Sequence, residues 1–113
     1  MNSTLWEVLR TFITTMRIFS KGTLRKFWET YIDSKPALEF WYDTIEESEF
    51  ENPNQVIAYF NKADIVGNGR IVFNIHGNKY RLIVKFDYEK QFVFVRFIGT
   101  HKEYDKIEDI GNI

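Results

Sequence analysis

At 113 residues, 44% hydrophobic and 18% aromatic, the chain has the length for one domain with one modest core and is too apolar to be disordered. It has no cysteine, which excludes a disulfide framework and a thiolate metal site, and no apolar run approaches the roughly 20 residues of a membrane helix. The formal net charge of −1 hides an uneven distribution: residues 61–102 carry eight Lys and Arg against three Asp and Glu, residues 16–60 five against eight, and residues 103–113 one against four.

Residues 1–15 place Leu5, Val8, Leu9, Phe12 and Ile13 near helical spacing, a weak amphipathic helix. They lack the basic start and small-residue cleavage site of a signal peptide, so a cytoplasmic protein is expected. Met16 to Phe19 reads as a short first strand. Leu24, Phe27, Trp28 and Tyr31 then fall on one face of a helix over 23–31. Ser34 and Pro36 predict the start of a second helix, with serine as cap and proline in the first turn. Its buried face is Leu38, Trp41, Tyr42 and Ile45, and Glu39, Asp43, Glu46 and Glu47 are solvated. Asn52-Pro53 opens a third, short helix carrying Val56, Ile57 and Phe60.

Gly67-Asn68-Gly69 is a loop signal, and the pattern after it is β-rich. Strands are predicted over 70–76, 79–87 and 91–98, joined by turns at Gly77-Asn78 and at Tyr88-Glu89-Lys90, and such short turns require antiparallel pairing. The residues from His101 to Ile110 suit a short helix or an ordered extension. The fold class is therefore α+β: helices first, then a mostly antiparallel sheet.

The two-residue period of strands divides the sheet. One face carries Ile71, Phe73, Ile75, Tyr80, Leu82, Val84, Phe86, Val93, Val95 and Phe97, a core face for the aromatic helices. The other carries Arg70, Val72, Asn74, Lys79, Arg81, Ile83, Lys85, Phe92, Phe94, Arg96 and Ile98. Cations beside aromatic rings suit an extended nucleic-acid strand, with phosphates held by charge and bases by stacking. A solvated strand face with arginines paired to carboxylates is the competing reading of the same residues.

RNA cleavage needs a base for the 2′-hydroxyl proton, an acid for the leaving 5′-oxygen and cations on the phosphate. His101, just after the last strand, is a candidate for proton transfer. Arg81 and Arg96 are candidates for phosphate binding, and Tyr104 for stacking or hydrogen bonding. Lys79, Arg70, Lys102 and Asn74 extend the RNA-binding set. Lys79 or Lys102 with a lowered pKa is an alternative base. His76, beside Gly77, reads as a turn residue, and two distant histidines do not have metal-ligand spacing.

Three segments carry a resemblance: Ala63-Asp64-Ile65-Val66-Gly67-Asn68-Gly69-Arg70-Ile71-Val72-Phe73-Asn74-Ile75, Gly77-Asn78-Lys79-Tyr80-Arg81-Leu82, and Arg96-Phe97-Ile98-Gly99-Thr100-His101-Lys102-Glu103-Tyr104-Asp105. They resemble HigB-type toxins of bacterial toxin–antitoxin pairs, within the RelE-like group. Met16 to Ser20 looks like the usual beginning of these proteins, so the resemblance covers about residues 16–108. Residues 1–15 are then an N-terminal extension to a single domain over 16–113. The resemblance implies a RelE-like fold, two N-terminal helices on a mostly antiparallel sheet. It implies a messenger-RNA endoribonuclease working at the ribosome. The 2′-hydroxyl would be the nucleophile, with no metal or cofactor. A HigA-type helix-turn-helix antitoxin would be the partner. Arg81 matches the arginine of the family's Tyr-Arg-Leu segment, which helps hold the scissile phosphate. His101 and Tyr104 fall in the post-sheet segment where such toxins place catalytic groups. A gyrase inhibitor of the ParE kind, or a binding module without catalysis, are the rival functions for such a fold.

Overall fold

The computed structural model describes residues 16–113, so the weak helix expected over residues 1–15 lies outside the described residues. The described residues begin with strand β1 (Arg17–Phe19) and helix α1 (Lys21–Thr30), turn through a single 3₁₀ turn at Ile32–Ser34, and continue as α2 (Lys35–Glu46) and α3 (Pro53–Tyr59). Four strands follow: β2 (Ala63–Gly67), β3 (Arg70–Ile75), β4 (Tyr80–Asp87) and β5 (Phe92–Thr100). Helix α4 (His101–Asp105) and a 3₁₀ turn at Ile110–Asn112 complete the chain.

The helices follow the predicted stripes. Leu24 and Trp28 of α1, and Leu38, Trp41 and Ile45 of α2, are buried, each contributing about 1.5–3 kcal/mol relative to exposure. Trp41 meets Phe73 of the sheet edge-on at 5.5 Å, a favoured aromatic geometry. Asn52 caps α3 through its side-chain oxygen, which accepts from the Gln55 amide at 3.0 Å. Ser34 does not cap α2: it stands in the helical region, at φ −81 and ψ −15. Its hydroxyl turns back to donate to the Tyr31 carbonyl at 2.6 Å.

The five strands form one sheet in the order β1-β5-β4-β3-β2. β2, β3, β4 and β5 are antiparallel neighbours, and β1 joins the far edge parallel to β5. β2 is a strand beyond those predicted from the sequence pattern. It forms a hairpin with β3 through Gly67, Asn68 and Gly69, all at positive φ, where glycine has no Cβ clash. The β3–β4 connection is also wider than the predicted two residues, spanning His76 to Lys79.

The largest departure is in β5. Ile83 pairs with Phe97 but Val84 pairs with Val95, leaving Arg96 as the extra residue of a β-bulge. A one-residue shift exchanges the faces beyond it. Ile98 therefore packs with the core and Phe97 does not, the reverse of the alternation expected above. The core lies between the helices and one sheet face. Val72 and Ile83 point to the opposite face and are still only 2% and 0% exposed. That face is not an open, solvated surface.

Candidate active site

Helix α4 crosses the end of the β4–β5 hairpin, where Tyr80 pairs with Thr100 and Arg81 with Gly99. Its start is held by a capping box: Thr100 Oγ1 accepts from the Glu103 amide at 3.2 Å, and Glu103 Oε1 accepts from the Thr100 amide at 2.8 Å. The His101 amide also donates to the Lys79 carbonyl at 3.0 Å. Two sets of candidate residues meet around this short helix.

The first set surrounds Arg81, which is only 8% exposed. Its guanidinium donates to the Asn78 carbonyl at 3.0 Å, the Tyr80 carbonyl at 3.3 Å and Asn78 Oδ1 at 2.8 Å. The ring of Tyr104 lies over it at 5.6 Å, a cation–π contact. Asn74 is the cross-strand partner of Arg81 and half-buried. Arg81, Tyr104 and Asn74 are thus neighbours, with the guanidinium fixed in direction by its own turn.

The second set lines a cleft of about 470 Å³ formed by Tyr31, Lys79, Tyr80, Thr100, His101 and Lys102. His101 Nδ1 lies 2.9 Å from Asp105 Oδ2, one helical turn on. Asp33, which the sequence reading did not single out, organises the other wall. It pairs with the Lys79 ammonium and accepts from Tyr80 Oη at 2.6 Å, and His76 Nε2 stands 3.7 Å away. The hydrogen bond from Lys79, then that from Tyr80, holds the Asp33 carboxyl below the usual carboxylate range. The same bond to Asp33 holds Lys79 above its ordinary value. Burial, then the Asp33 hydrogen bond, pushes the Tyr80 phenol up. Lys79 is therefore kept charged, which overturns the expectation that a lowered pKa could make it a base. Asp33 sits 46 and 47 residues from these partners, and no local signal in the sequence connects them.

Arg70 and Arg96 are elsewhere. Arg70 Nε and Nη2 donate to the main-chain oxygen of Ile113 at 3.2 and 2.7 Å, and Arg96 Nε donates to the same oxygen at 3.0 Å. Asn68 Nδ2 donates to the Gly111 carbonyl at 2.9 Å. The C-terminal tail thus occupies two arginines expected to meet RNA phosphates. Arg81 and Arg96 share no partner: Arg81 donates to its own turn and Arg96 to the tail.

A sequence model of the HigB toxin family, described as the RelE-like toxic component of a toxin–antitoxin system, matches residues 34–107. The chain belongs to the HigB toxin family. It is 30% identical over 92 residues to the "mRNA interferase toxin HigB" of Escherichia coli K12, covering 80% of this chain and 88% of that protein. It is equally similar over the same shares to the "mRNA interferase HigB" of Shigella flexneri. The "mRNA interferase HigB" of Escherichia coli O6:H1 is 30% identical over 94 residues, or 81% and 91% of the two chains. The matched span of this HigB-family chain contains the first residue set whole and the second except Tyr31 and Asp33. The helices on a five-stranded, mostly antiparallel sheet with a short C-terminal helix are consistent with the RelE-like fold. Among the described residues, no helix is long and apolar enough to cross a membrane.

Proposed function

We propose that this chain is a cytoplasmic endoribonuclease that cuts messenger RNA being translated on the ribosome, and that a HigA-type antitoxin neutralises it. The observation that carries the reading is the junction at α4. There the fixed Arg81 guanidinium lies under Tyr104 of α4, and His101 and Lys102 of the same helix wall a cleft with Lys79. In the proposed reaction the 2′-hydroxyl oxygen attacks the adjacent phosphorus while the 5′-oxygen leaves. The products are a 2′,3′-cyclic phosphate and a 5′-hydroxyl end. The nucleophile is already on the substrate, so the protein moves two protons and stabilises charge.

His101 is the proton-transfer group. Asp105 beside Nδ1 favours the tautomer that leaves Nε2 to work. Arg81 stabilises the charge that grows on the phosphoryl oxygens, with N–H groups beyond those spent on Asn78 and Tyr80. Lys79, held charged by Asp33, and Lys102 add positive potential at the cleft. Tyr104 orients Arg81 and offers a ring to a base. Asn74 offers its amide to the RNA beside Arg81. Arg70 and Arg96 reach RNA only where the tail gives way.

Inducible expression with primer extension on abundant messages tests the reading. The expected result is growth arrest with new cuts inside translated regions. Arg81→Ala and His101→Ala each reduce those cuts by at least about tenfold, the equivalent of roughly 1.4 kcal/mol of lost transition-state stabilisation. Arrest with intact messages rejects the nuclease and assigns a protein target of the ParE kind. Absence of arrest rejects the toxin reading.

A further inference from the structure

The parallel pairing of β1 with β5 assembles a surface that neither segment holds alone. Phe19 of β1 lies against two rings of β5: it stacks on Phe94 at 5.4 Å with 19° between the planes, and meets Phe92 edge-on at 5.3 Å. Phe92 in turn stands edge-on to Phe94 at 6.2 Å. The three rings are outside the core cluster, and Phe19 is 44% exposed. What sets Phe19 apart is the contiguous aromatic patch it heads, the kind of apolar surface that marks a binding face.

The charges around the rings say which occupant. Arg17 is the strand partner of Phe92 and Lys85 that of Phe94, and both are exposed. Neither makes an ion pair among the described residues. Arg96, also exposed, follows Phe94 by two residues. Asp87, the other strand partner of Phe92, has one oxygen engaged by the Lys90 amide at 3.0 Å. An exposed ring over two half-buried ones, bordered by the unpaired cations Arg17 and Lys85, fits a single-stranded polyanion with flat bases.

We propose that Phe19, with Phe94 and Phe92 beneath it, is a stacking platform for one unpaired nucleobase of the RNA, and that Arg17 and Lys85 hold the phosphates on either side of that nucleotide. The proposal rests on the RNA-cleavage reading and extends it. Lys85 is four residues along β4 from Arg81, roughly 13 Å at about 3.3 Å per residue. The platform therefore takes a nucleotide flanking the cut, not the one whose 2′-hydroxyl reacts. It serves substrate grip and length preference, not chemistry.

The test is fluorescence anisotropy with a labelled ten-nucleotide RNA whose 2′-hydroxyls are methylated, so that it binds without being cut. Phe19→Ala is expected to weaken binding about five- to tenfold, the low end of what one base–aromatic stack contributes. Phe19→Leu keeps an apolar side chain of similar bulk and is expected to weaken binding as much, because it has no π face. Phe19→Trp restores it. Arg17→Ala and Lys85→Ala each flatten the plot of log affinity against log salt by about 0.7. Thermal melts identify any variant that does not fold, and the tryptophan and cation variants then still decide. Wild-type affinity in Phe19→Leu overturns the platform, as does equal loss in the leucine and tryptophan variants. Unchanged RNA binding with a weakened antitoxin complex overturns it in favour of a protein interface. If the wild type does not bind the RNA, or if every variant matches it, the platform fails; the nuclease reading stands or falls separately, on the primer-extension result.

Discussion

Gly99 is the point where the sheet, the bulge and the candidate catalytic helix press on one another, and Gly99→Ala measures that pressure. A Cβ at this position would stand 2.6 Å from Phe97 Cζ and 2.8 Å from Glu103 Oε1, both closer than van der Waals contact allows. Each obstacle is the far end of a side chain, so the backbone does not have to move. The Phe97 ring must leave its rotamer, at about 0.5–1.5 kcal/mol. The Glu103 carboxylate must leave the Thr100 amide and give up its half of the capping box, at about 1 kcal/mol. Alanine's smaller unfolded-state entropy offsets about 0.5 kcal/mol. The net cost is roughly 1.5 kcal/mol, which lowers Tm by about 6 °C in a domain of this size. Thermal and urea denaturation followed by circular dichroism measure it. The second variant Phe97→Leu, added to Gly99→Ala, removes one obstacle and is expected to recover part of the loss, a coupling that separate sites would not show. Message cleavage should fall further than stability does, because His101 and Tyr104 ride on the helix whose capping box is lost. A Gly99→Ala protein that melts with the wild type would refute the close packing described for this junction.

Two further predictions follow from other parts of the chain. Tyr88 Oη is buried with no hydrogen-bond partner among the described residues, and burial pushes its phenol up to about 12. Tyr88→Phe should therefore stabilise the fold by about 1 kcal/mol at neutral pH. In the wild type the unfolded phenol ionises near pH 10, before the folded one does. The stability that the neutral phenol supplies is complete below pH 10 and declines as pH rises toward 12; urea midpoints across that window should show a shallower decline in Tyr88→Phe. Removing residues 111–113 frees Arg70 and Arg96 from the Ile113 oxygen. Affinity for single-stranded RNA should rise, and its salt slope should steepen by about 1.4 for two added phosphate contacts; a slope equal to that of the full chain would show that these arginines do not reach RNA.

Local chemistry wrote the helices and four of the strands into the sequence, because each has an apolar pattern of its own. β2 was not legible for the same reason. Its five residues include Asp64 and Gly67, and only pairing with β3 makes a strand of them. The bulge at Arg96 left no mark either, since an unbroken β pattern runs through it, and so Phe97 and Ile98 were expected on the wrong faces. In the candidate site, Arg81, His101 and Tyr104 were visible as residue types placed at the end of the hairpin. Asp33 was not, because its meaning lies in partners brought in by the fold. Arg70 and Arg96 were visible as cations, but the tail that engages them is acidic and weakly patterned, and nothing in it announces a destination.

The parallel edge of the sheet also sets an order on synthesis. Phe19 pairs with Phe94, so the first strand to leave the ribosome waits for the last before its edge can close. Until then the apolar stripes of α1 and α2, with Leu24, Trp28, Leu38, Trp41 and Ile45, have no sheet to cover them. Such long-range closure is slow and leaves a nascent chain exposed to proteases and chaperones. The residues assigned to cleavage lie between Asn74 and Tyr104, so they too emerge late. A protein that attacks messages in translation would thus be harmless to its own message until that message had been read almost to the end of the domain.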